Sequence, residues 1–575
     1  MSYNIRSPFY AKGTATSLTE RDSRQLRGLL PPALETMGKQ VSRAFEQLRG
    51  KTTGLEKYIF LAWLRNTNSN LFYRMVLDSP EELMPLIYTP TVGTACANYS
   101  HIYPFLAPNG SFDGLFISID DIPVLDQLIE NYKNALPDPS ITPDIAVITD
   151  GSRILGLGDL GVGGMGIPVG KLQLYVAAAG LDPRRTLPIC LDFGTNNQKN
   201  LDDPLYLGLR RKRPEGDEFH KAVDSVLATL NKAFPKMLIQ FEDFSSEHAF
   251  ELLERHRNRY LSFNDDIQGT GAVILAGFIN AVREVGIPAK QHRLLFFGAG
   301  SAGVGVAKQI MDYFVLEHGM TEEEAKKLFW LNDSKGLVTQ DRGDKLAQHK
   351  VYFARDDNEG RQLKDLKETI EYVKPTALIG LSSQGGVFDA EVLKLLADIN
   401  ERPIVFPLSN PATQAECSFE QAMIHTNGNV LFASGTAFPR YVDENKKEHV
   451  PGQGNNMYIF PGLGLGAILS RPSRITDTII YASAAALADS LTEDERKSHL
   501  LYPRIERIRE VSAVVAAAVC RQAVKENLAT DPRILSILPS GSSSKVGTPA
   551  WEELLKYVEK SMWEPTYKPI TDKSE

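Results

Sequence analysis

The stretch LLFFGAGSAGVGVAKQIMDYFV, residues 294–315, decides the fold. Leu294 to Phe297 read as a short apolar strand that runs straight into Gly298-Ala-Gly300-Ser-Ala-Gly303, and a helical pattern follows at once. In that order the glycines allow a tight turn and close backbone approach, and the helix N-terminus turns bare amides toward a phosphate. Gly298, Gly300, Ser301, Ala302 and Gly303 are therefore candidates for binding a dinucleotide. The next strand candidate, FWLN, ends at Asp333, thirty residues past the third glycine, so the intervening helix and turn are longer than usual. In such a site Asp333 accepts hydrogen bonds from a ribose; the alternative is a capping acid. Ser334, Lys335 and Lys350 lie close behind it. Any one of these lysines reads equally well as a solvated surface charge, but together they can pair with a 2′-phosphate and lean toward NADP over NAD.

A second match to the same glycine pattern, Gly156-Leu-Gly158-Asp-Leu-Gly161, competes with the first. It follows a hairpin-like segment, and Asp159 would put a carboxylate where a pyrophosphate needs bare amides. The match at 298–303 is the cofactor site.

Outward from that motif, RLLFF, LFWLN, ALIGL, PIVFP and NVLFA alternate with turns and helices between about residues 291 and 435. Apolar strands without clear alternation imply a parallel sheet covered on both faces, a doubly wound Rossmann-type layout in an α/β protein. Asp22 to about Leu77 has helical spacing, with breaks expected at Pro31-Pro32 and Thr53-Gly54. DIAVITDGSRILGLG reads as two short strands joined by an Asp150-Gly151 turn. From about Asp477 the pattern returns to helix, notably RIERIREVSAVVAAAVCRQAVKENL, and the run Ser540 to Ser544 reads as a surface loop before a terminal extension containing Trp551 and Trp563.

At 575 residues the chain is long enough for two to four domains. Hydrophobic residues make up 43% and charged residues 23%, an ordinary globular balance that excludes extended disorder. The net charge of −8, with no long basic run, argues against a phosphate-backbone ligand, so no nucleic-acid partner is expected. The apolar run Val511 to Cys520 is too short to span a bilayer, so no membrane partner is expected either. The four cysteines are scattered, without metal-ligand spacing, which fits a reducing compartment. The N-terminal residues lack the pattern of a secretory signal, and the expected location is cytoplasmic, with the mitochondrial matrix left open.

Two acidic pairs stand out: Glu242 and Asp243 in QFEDF, Asp265 and Asp266 in FNDDIQGTG. Flanked by phenylalanines, they suggest carboxylates at the ends of buried strands, where repulsion calls for a cation or protons. Oxygen donors favour Mg²⁺ or Mn²⁺. Two separate capping pairs are the alternative, and spacing alone does not bring residues 242 and 266 together. Lys171, after GGMGIPVG, opens an apolar helix and is either a base of lowered pKa or a snorkelling lysine. Arg153 and Tyr88 have ordinary readings as a salt-bridge residue and a core aromatic. No histidine sits in a zinc-protease context and no serine in a hydrolase elbow.

YTPTVG, DGSRILGLGDLGVGGMGIPVGK, LDFGTNN, QFEDF, FNDDIQGTGAV, FFGAGSAGVG, PLSNP and GNNMYIFPGLGLGA together resemble the malic enzymes, in the family's order and over roughly Leu29 to Ala529. The resemblance implies oxidative decarboxylation of L-malate with a divalent metal and NAD or NADP. It implies that Glu242, Asp243 and Asp266 ligate Mg²⁺ or Mn²⁺, that Lys171 is the base with Asp265 beside it, and that Tyr88 is the acid. Arg153 would bind a malate carboxylate, Asn410 and Asn456 the substrate or nicotinamide end, with Asn455 close by. The implied layout is a helical N-terminal region (1–110), a mixed α/β catalytic domain (111–267 and 468–530), a Rossmann-type domain (268–467), a helical C-terminal region and an extension (531–575). Self-association to a dimer or tetramer is also implied.

Some relatives carry an activator site built on two arginines. Arg43 fits one position, but Thr67 stands at the other, which argues against that regulation. SSQGG and ASGTAF depart modestly from the commoner wording. DSKG and Lys350 match NADP-preferring relatives. The rival readings are a malolactic enzyme, with no net redox change, and a catalytically silent dinucleotide sensor.

Overall fold

The computed structural model describes residues 7–107, 112–136, 138–539 and 546–568. The Ser540–Ser544 run lies outside the described residues. Backbone contacts divide the chain into two compact units, Met1–Asn264 with Gly464–Ile475 and Ala523–Glu575, and Asp265–Leu463 with Thr476–Gln522.

The first unit opens with helices. Leu18–Ser23, Met37–Arg49, Gly54–Thr67 and Ser69–Asp78 each start on a side-chain cap, from Ser17, Thr36, Thr53 and Asn68. The expected helical run is thus real but shorter: residues 24–36 are turns and irregular chain, because Gly28 and the Pro31-Pro32 pair cannot sustain a helix. Beyond them lie β1 (Leu115–Ser118), β2 (Ile145–Thr149), β3 (Thr186–Asp192), β4 (Leu238–Phe241) and β5 (Ser262–Asn264), in the order β1-β3-β2-β4-β5 and all parallel. Parallel strands need crossovers, and helices Gly166–Ala179, Gly216–Ala233 and Ser246–His256 supply them.

The hairpin expected over DIAVITDGSRILGLG does not form. Ile145–Thr149 pairs in parallel with β3 and β4, and only one antiparallel bridge, Ile154 to Gly158, remains beyond it. A fully buried strand with apolar residues on both faces belongs in the middle of a sheet, and Asp150-Gly151 then opens a loop.

The second unit contains β6 (Leu294–Phe297), β7 (Phe329–Asp333), β8 (Gly336–Leu337), β9 (Ala377–Gly380), β10 (Ile404–Pro407), β11 (Leu431–Ser434), β12 (Tyr441–Val442), β13 (Glu448–His449) and β14 (Gly452–Gln453). Seven of them form one sheet, β14-β11-β10-β9-β6-β7-β8, parallel except where β8 turns back on β7; β12 and β13 pair separately. All five strand candidates of the sequence are here, and α/β with Rossmann-type parallel pairing is the fold. Helix Ser301–His318 leaves β6 through the glycine turn. Helix Thr270–Val285 packs along Asp477–Asp489, so residues 476–522 belong with this unit. Among the described residues no helix is long and apolar enough to cross a membrane.

Two buried histidines give the fold a pH dependence. His256 stacks on Phe241 at the end of β4, and His292, beside β6, meets the Thr376 hydroxyl at 3.1 Å. Burial pushes both imidazoles from 6.5 down to about 4. The folded chain keeps them neutral while the unfolded chain takes up protons below about pH 6.5. Their stabilisation is therefore whole above about 6.5 and is lost as pH falls toward 4. A thermal-unfolding series across that window should show the midpoint dropping, with a shallower drop in His292→Asn.

Candidate active site

The glycines of GVGGMGIPVGK are there for packing. A Cβ on Gly163 or Gly166 would press on Cys96, its carbonyl oxygen at 2.6 Å or its sulfur at 2.7 Å, and one on Gly170 would lie 2.7 Å from the ring of Tyr88. Glycine at these places lets helix Gly166–Ala179 settle against the neighbouring chain. Tyr88 caps the C-terminus of helix Pro80–Ile87 and is buried. Its ring centre is 5.4 Å from the Lys171 amine.

Lys171 is itself buried and its amine lies 2.9 Å from a Glu242 carboxylate oxygen. Glu242 follows β4, and its other oxygen accepts from Gln240 Nε2 at 2.8 Å; Gln240 in turn accepts from the Tyr175 hydroxyl at 2.6 Å. Gln240 and Tyr175 were not singled out from sequence. Their signal is weak, a polar residue inside an apolar strand and a tyrosine one helical turn past Lys171. Asp243 holds a left-handed backbone with φ of 54°, uncommon for a residue other than glycine and often found at working sites. Arg153 donates its amide to the Asp243 carbonyl at 3.3 Å and its guanidinium to the Ser246 hydroxyl.

Asp266 lies two residues past β5. Among the described residues, Glu242, Asp243 and Asp266 each offer a carboxylate oxygen, all within 4.8 Å of one another. Three hard oxygen donors so close repel unless a cation joins them, and the set fits Mg²⁺ or Mn²⁺. Asp265, fully buried in the single wide turn Asp265–Gly269, accepts from Asn456 Nδ2 at 3.0 Å; that amide also reaches the Thr270 hydroxyl at 2.9 Å. Asn455 caps the short turn Asn456–Tyr458 that follows it, accepting from the Met457 amide.

At the glycine turn, Gly298 has φ of 117° and a Cβ there would lie 2.3 Å from the Leu381 carbonyl; one on Gly303 would lie 2.1 Å from the Gly298 carbonyl. Gly300 has open space around it, and Ser301 and Ala302 are exposed at the helix N-terminus. This cradle fits a pyrophosphate: closed where the chain packs on itself, open where a ligand would approach. Asn410 is exposed on the loop after β10.

Asp333 ends β7. It receives Lys350 Nζ at 2.6 Å, the Lys335 amide at 2.8 Å and, through both oxygens, Arg342 Nη1 at 2.9 and 3.0 Å. Burial pushes its carboxyl up, but the hydrogen bonds from Lys350 and Arg342 outweigh that and hold it below the ordinary range. Arg342 escaped the sequence reading because it sits in a short 3-10 turn, Gln340–Lys345, outside every motif; its charge, nine residues past Asp333, was the available signal. Thr67, where the sequence lacks the second arginine expected of an activator site, turns its hydroxyl back onto the Trp63 carbonyl at 2.9 Å, while Arg43 pairs with Glu35.

A parallel sheet with this glycine turn and terminal acid defines a nicotinamide-dinucleotide-binding protein. Residues 65–257 match the family model for the malic enzyme N-terminal domain and residues 267–524 that for the malic enzyme NAD-binding domain. The chain is 48% identical to the NADP-dependent malic enzyme of Dictyostelium discoideum, over 92% of this chain and 95% of that one. It is 42% identical to NADP-dependent malic enzyme 4, chloroplastic, of Arabidopsis thaliana (98% and 82% covered) and 41% identical to that plant's NAD-dependent malic enzyme 2, mitochondrial (98% and 92%). The fold is also that of the Entamoeba histolytica malic enzyme crystal structure, at a TM-score of 0.51, 22% identity and 94% and 98% coverage. The chain belongs to the malic enzyme family and is an oxidoreductase.

Gly298→Ala forces a Cβ against the Leu381 carbonyl in a strained backbone region. It should weaken binding of a reduced nicotinamide dinucleotide about tenfold or more and destabilise the protein by about 1–3 kcal/mol. Fluorescence titration and denaturant unfolding would measure the two effects.

Proposed function

We propose that the protein catalyses oxidative decarboxylation of L-malate to pyruvate and CO₂, with NADP preferred over NAD and with Mg²⁺ or Mn²⁺ required. The observation that carries the reading is the buried Lys171–Glu242 pair, with Asp243 and Asp266 completing a carboxylate set.

When bound, the metal supplies Lewis acidity toward the malate hydroxyl and its adjacent carboxylate, and the nicotinamide accepts the hydride. Glu242, Asp243 and Asp266 would hold the metal. Arg153 grips a malate carboxylate as a bidentate fork. Lys171, its amine held 2.9 Å from Glu242, takes the hydroxyl proton as the alcohol is oxidised. Asp265 tunes the charge around that base, and Asn456, whose amide it receives, sets one edge of the substrate site. After CO₂ leaves, Tyr88 protonates the enol carbon to give pyruvate. Asn410 and Asn455 serve the nicotinamide end. The preference for NADP rests on Asp333: with Arg342 and Lys350 both on its carboxylate, the strand end carries a net positive group of the kind a 2′-phosphate requires, and Ser334 and Lys335 add donors. The expected assembly is a dimer or tetramer in the cytoplasm.

Absorbance at 340 nm with L-malate, Mn²⁺ and NADP or NAD, repeated with EDTA, tests the reading. Chelator-sensitive reduction with pyruvate as product and a higher kcat/KM for NADP is expected. Lactate without accumulating NAD(P)H would indicate a malolactic reaction, and nucleotide binding without turnover a sensor. Lys171→Ala and Tyr88→Phe should each lose roughly 10²–10⁴-fold in kcat; Tyr88→Phe should keep the unfolding temperature, whereas Lys171→Ala, which leaves Glu242 without its buried cation, should lower it. Lys350→Gln should raise the KM for NADP far more than that for NAD; equal effects would refute the cofactor assignment.

A further inference from the structure

The glycine motif that does not bind the dinucleotide, residues 156–161, ends a loop that starts at Asp150 and carries Arg153. Both ends of this loop face one side chain. Arg213, nearly buried, donates Nε and Nη2 to the two oxygens of Asp159, each at 2.9 Å. Its third nitrogen, Nη1, lies 3.6 Å from Oδ2 of the fully buried Asp150, and neither of those two atoms has a hydrogen-bond partner.

Each anchor is built further into the fold. Asp159 also accepts from the Gly161 and Asn196 amides and the Thr195 hydroxyl. The other oxygen of Asp150 accepts from the Ser152 amide and hydroxyl, and that hydroxyl accepts from the Ser245 amide just past Asp243. Between the anchors the loop closes on itself, Leu160 N–H to the Gly151 carbonyl at 3.0 Å and Ile154 N–H to the Gly158 carbonyl at 2.8 Å. Gly151 has φ of 71°, and a Cβ there would lie 2.0 Å from the Gly161 carbonyl, so the two ends meet too closely for any side chain.

We propose that Arg213 is a positioning residue: its guanidinium ties the two ends of loop 150–161 and so fixes where Arg153 presents itself to the substrate carboxylate. The inference rests on the reading of Arg153 given above. It explains why an acid stands inside a glycine motif that resembles a phosphate loop: Asp159 is the socket for Arg213. A buried arginine held bidentately restrains both distance and angle, which a lysine at 213 would not.

The experiment uses the full-length protein with Arg213→Gln, the milder Asp159→Asn, Arg153→Ala and the pairwise combinations. Amide exchange is followed over residues 151–161 and over helix Gly166–Ala179, NADPH binding by fluorescence, and malate KM and kcat by absorbance. Either staple variant should speed exchange in the loop but not in the helix and raise malate KM roughly tenfold. NADPH affinity should stay unchanged. In the Arg153→Ala background the same changes should add nothing to KM, because the group being positioned is gone. Unchanged loop exchange overturns the staple. Faster exchange with an unchanged malate KM, or an equal KM penalty with and without Arg153, overturns its positioning role. A wild-type protein that binds NADPH but does not turn malate over overturns the functional reading instead, and the exchange measurement then judges the staple by itself.

Discussion

Carboxylates at the ends of buried parallel strands repel one another, and their need for positive charge organises the first unit. Glu242 and Asp243 leave β4 side by side, and neither can be solvated by water as a surface acid would be. Lys171 answers Glu242 from a helix that only glycines allow to come close enough, and Gln240 and Tyr175 fix the orientation of the pair from behind. Asp243 accepts an unfavourable backbone to face the same space. Removing one charge from such a group would leave the others uncompensated in a low-dielectric setting, which is why the arrangement is all or nothing.

The dinucleotide site shows the opposite balance. There a single carboxylate, Asp333, is outnumbered by Arg342 and Lys350, so the strand end carries a net positive charge. The glycine turn contributes no charge, only shape. Each position where a side chain would collide is a position where the chain packs on itself, and the open one, Gly300, faces outward.

The parts of this protein readable from sequence are those governed by local rules. LLFFGAGSAG announces strand, turn and helix because all three are set by adjacent residues, and Asp333 follows because a strand must end. The meeting of Glu242 with Asp266 was not readable, since it depends on β4 and β5 lying side by side in the sheet, a pairing that spacing along the chain does not specify. DIAVITDGSRILGLG misled for a related reason: a turn signal between two apolar runs is the local signature of a hairpin, but burial on both faces drew Ile145–Thr149 into the sheet centre. Arg342 and Arg213 were missed because each lies outside the motif whose acid it pairs with, Asp333 or Asp159. Helix Asp477–Asp489 is apolar on several faces, and nothing in its pattern says which unit it joins.

The first unit is assembled from three separate stretches, residues 1–264, 464–475 and 523–575. Its last stretch is tied in through Trp563, which donates its amide to the Gly180 carbonyl at 2.6 Å and sets its ring edge-on to Tyr73. A ribosome delivers these pieces far apart in time. The sheet β1 to β5 is complete when residue 264 emerges, yet the helices that finish its packing wait for two hundred or more residues of intervening chain. During synthesis the Rossmann-type unit is therefore made while the first unit is still unfinished, and Tyr73 waits through almost all of the intervening chain for the ring it meets, Trp563.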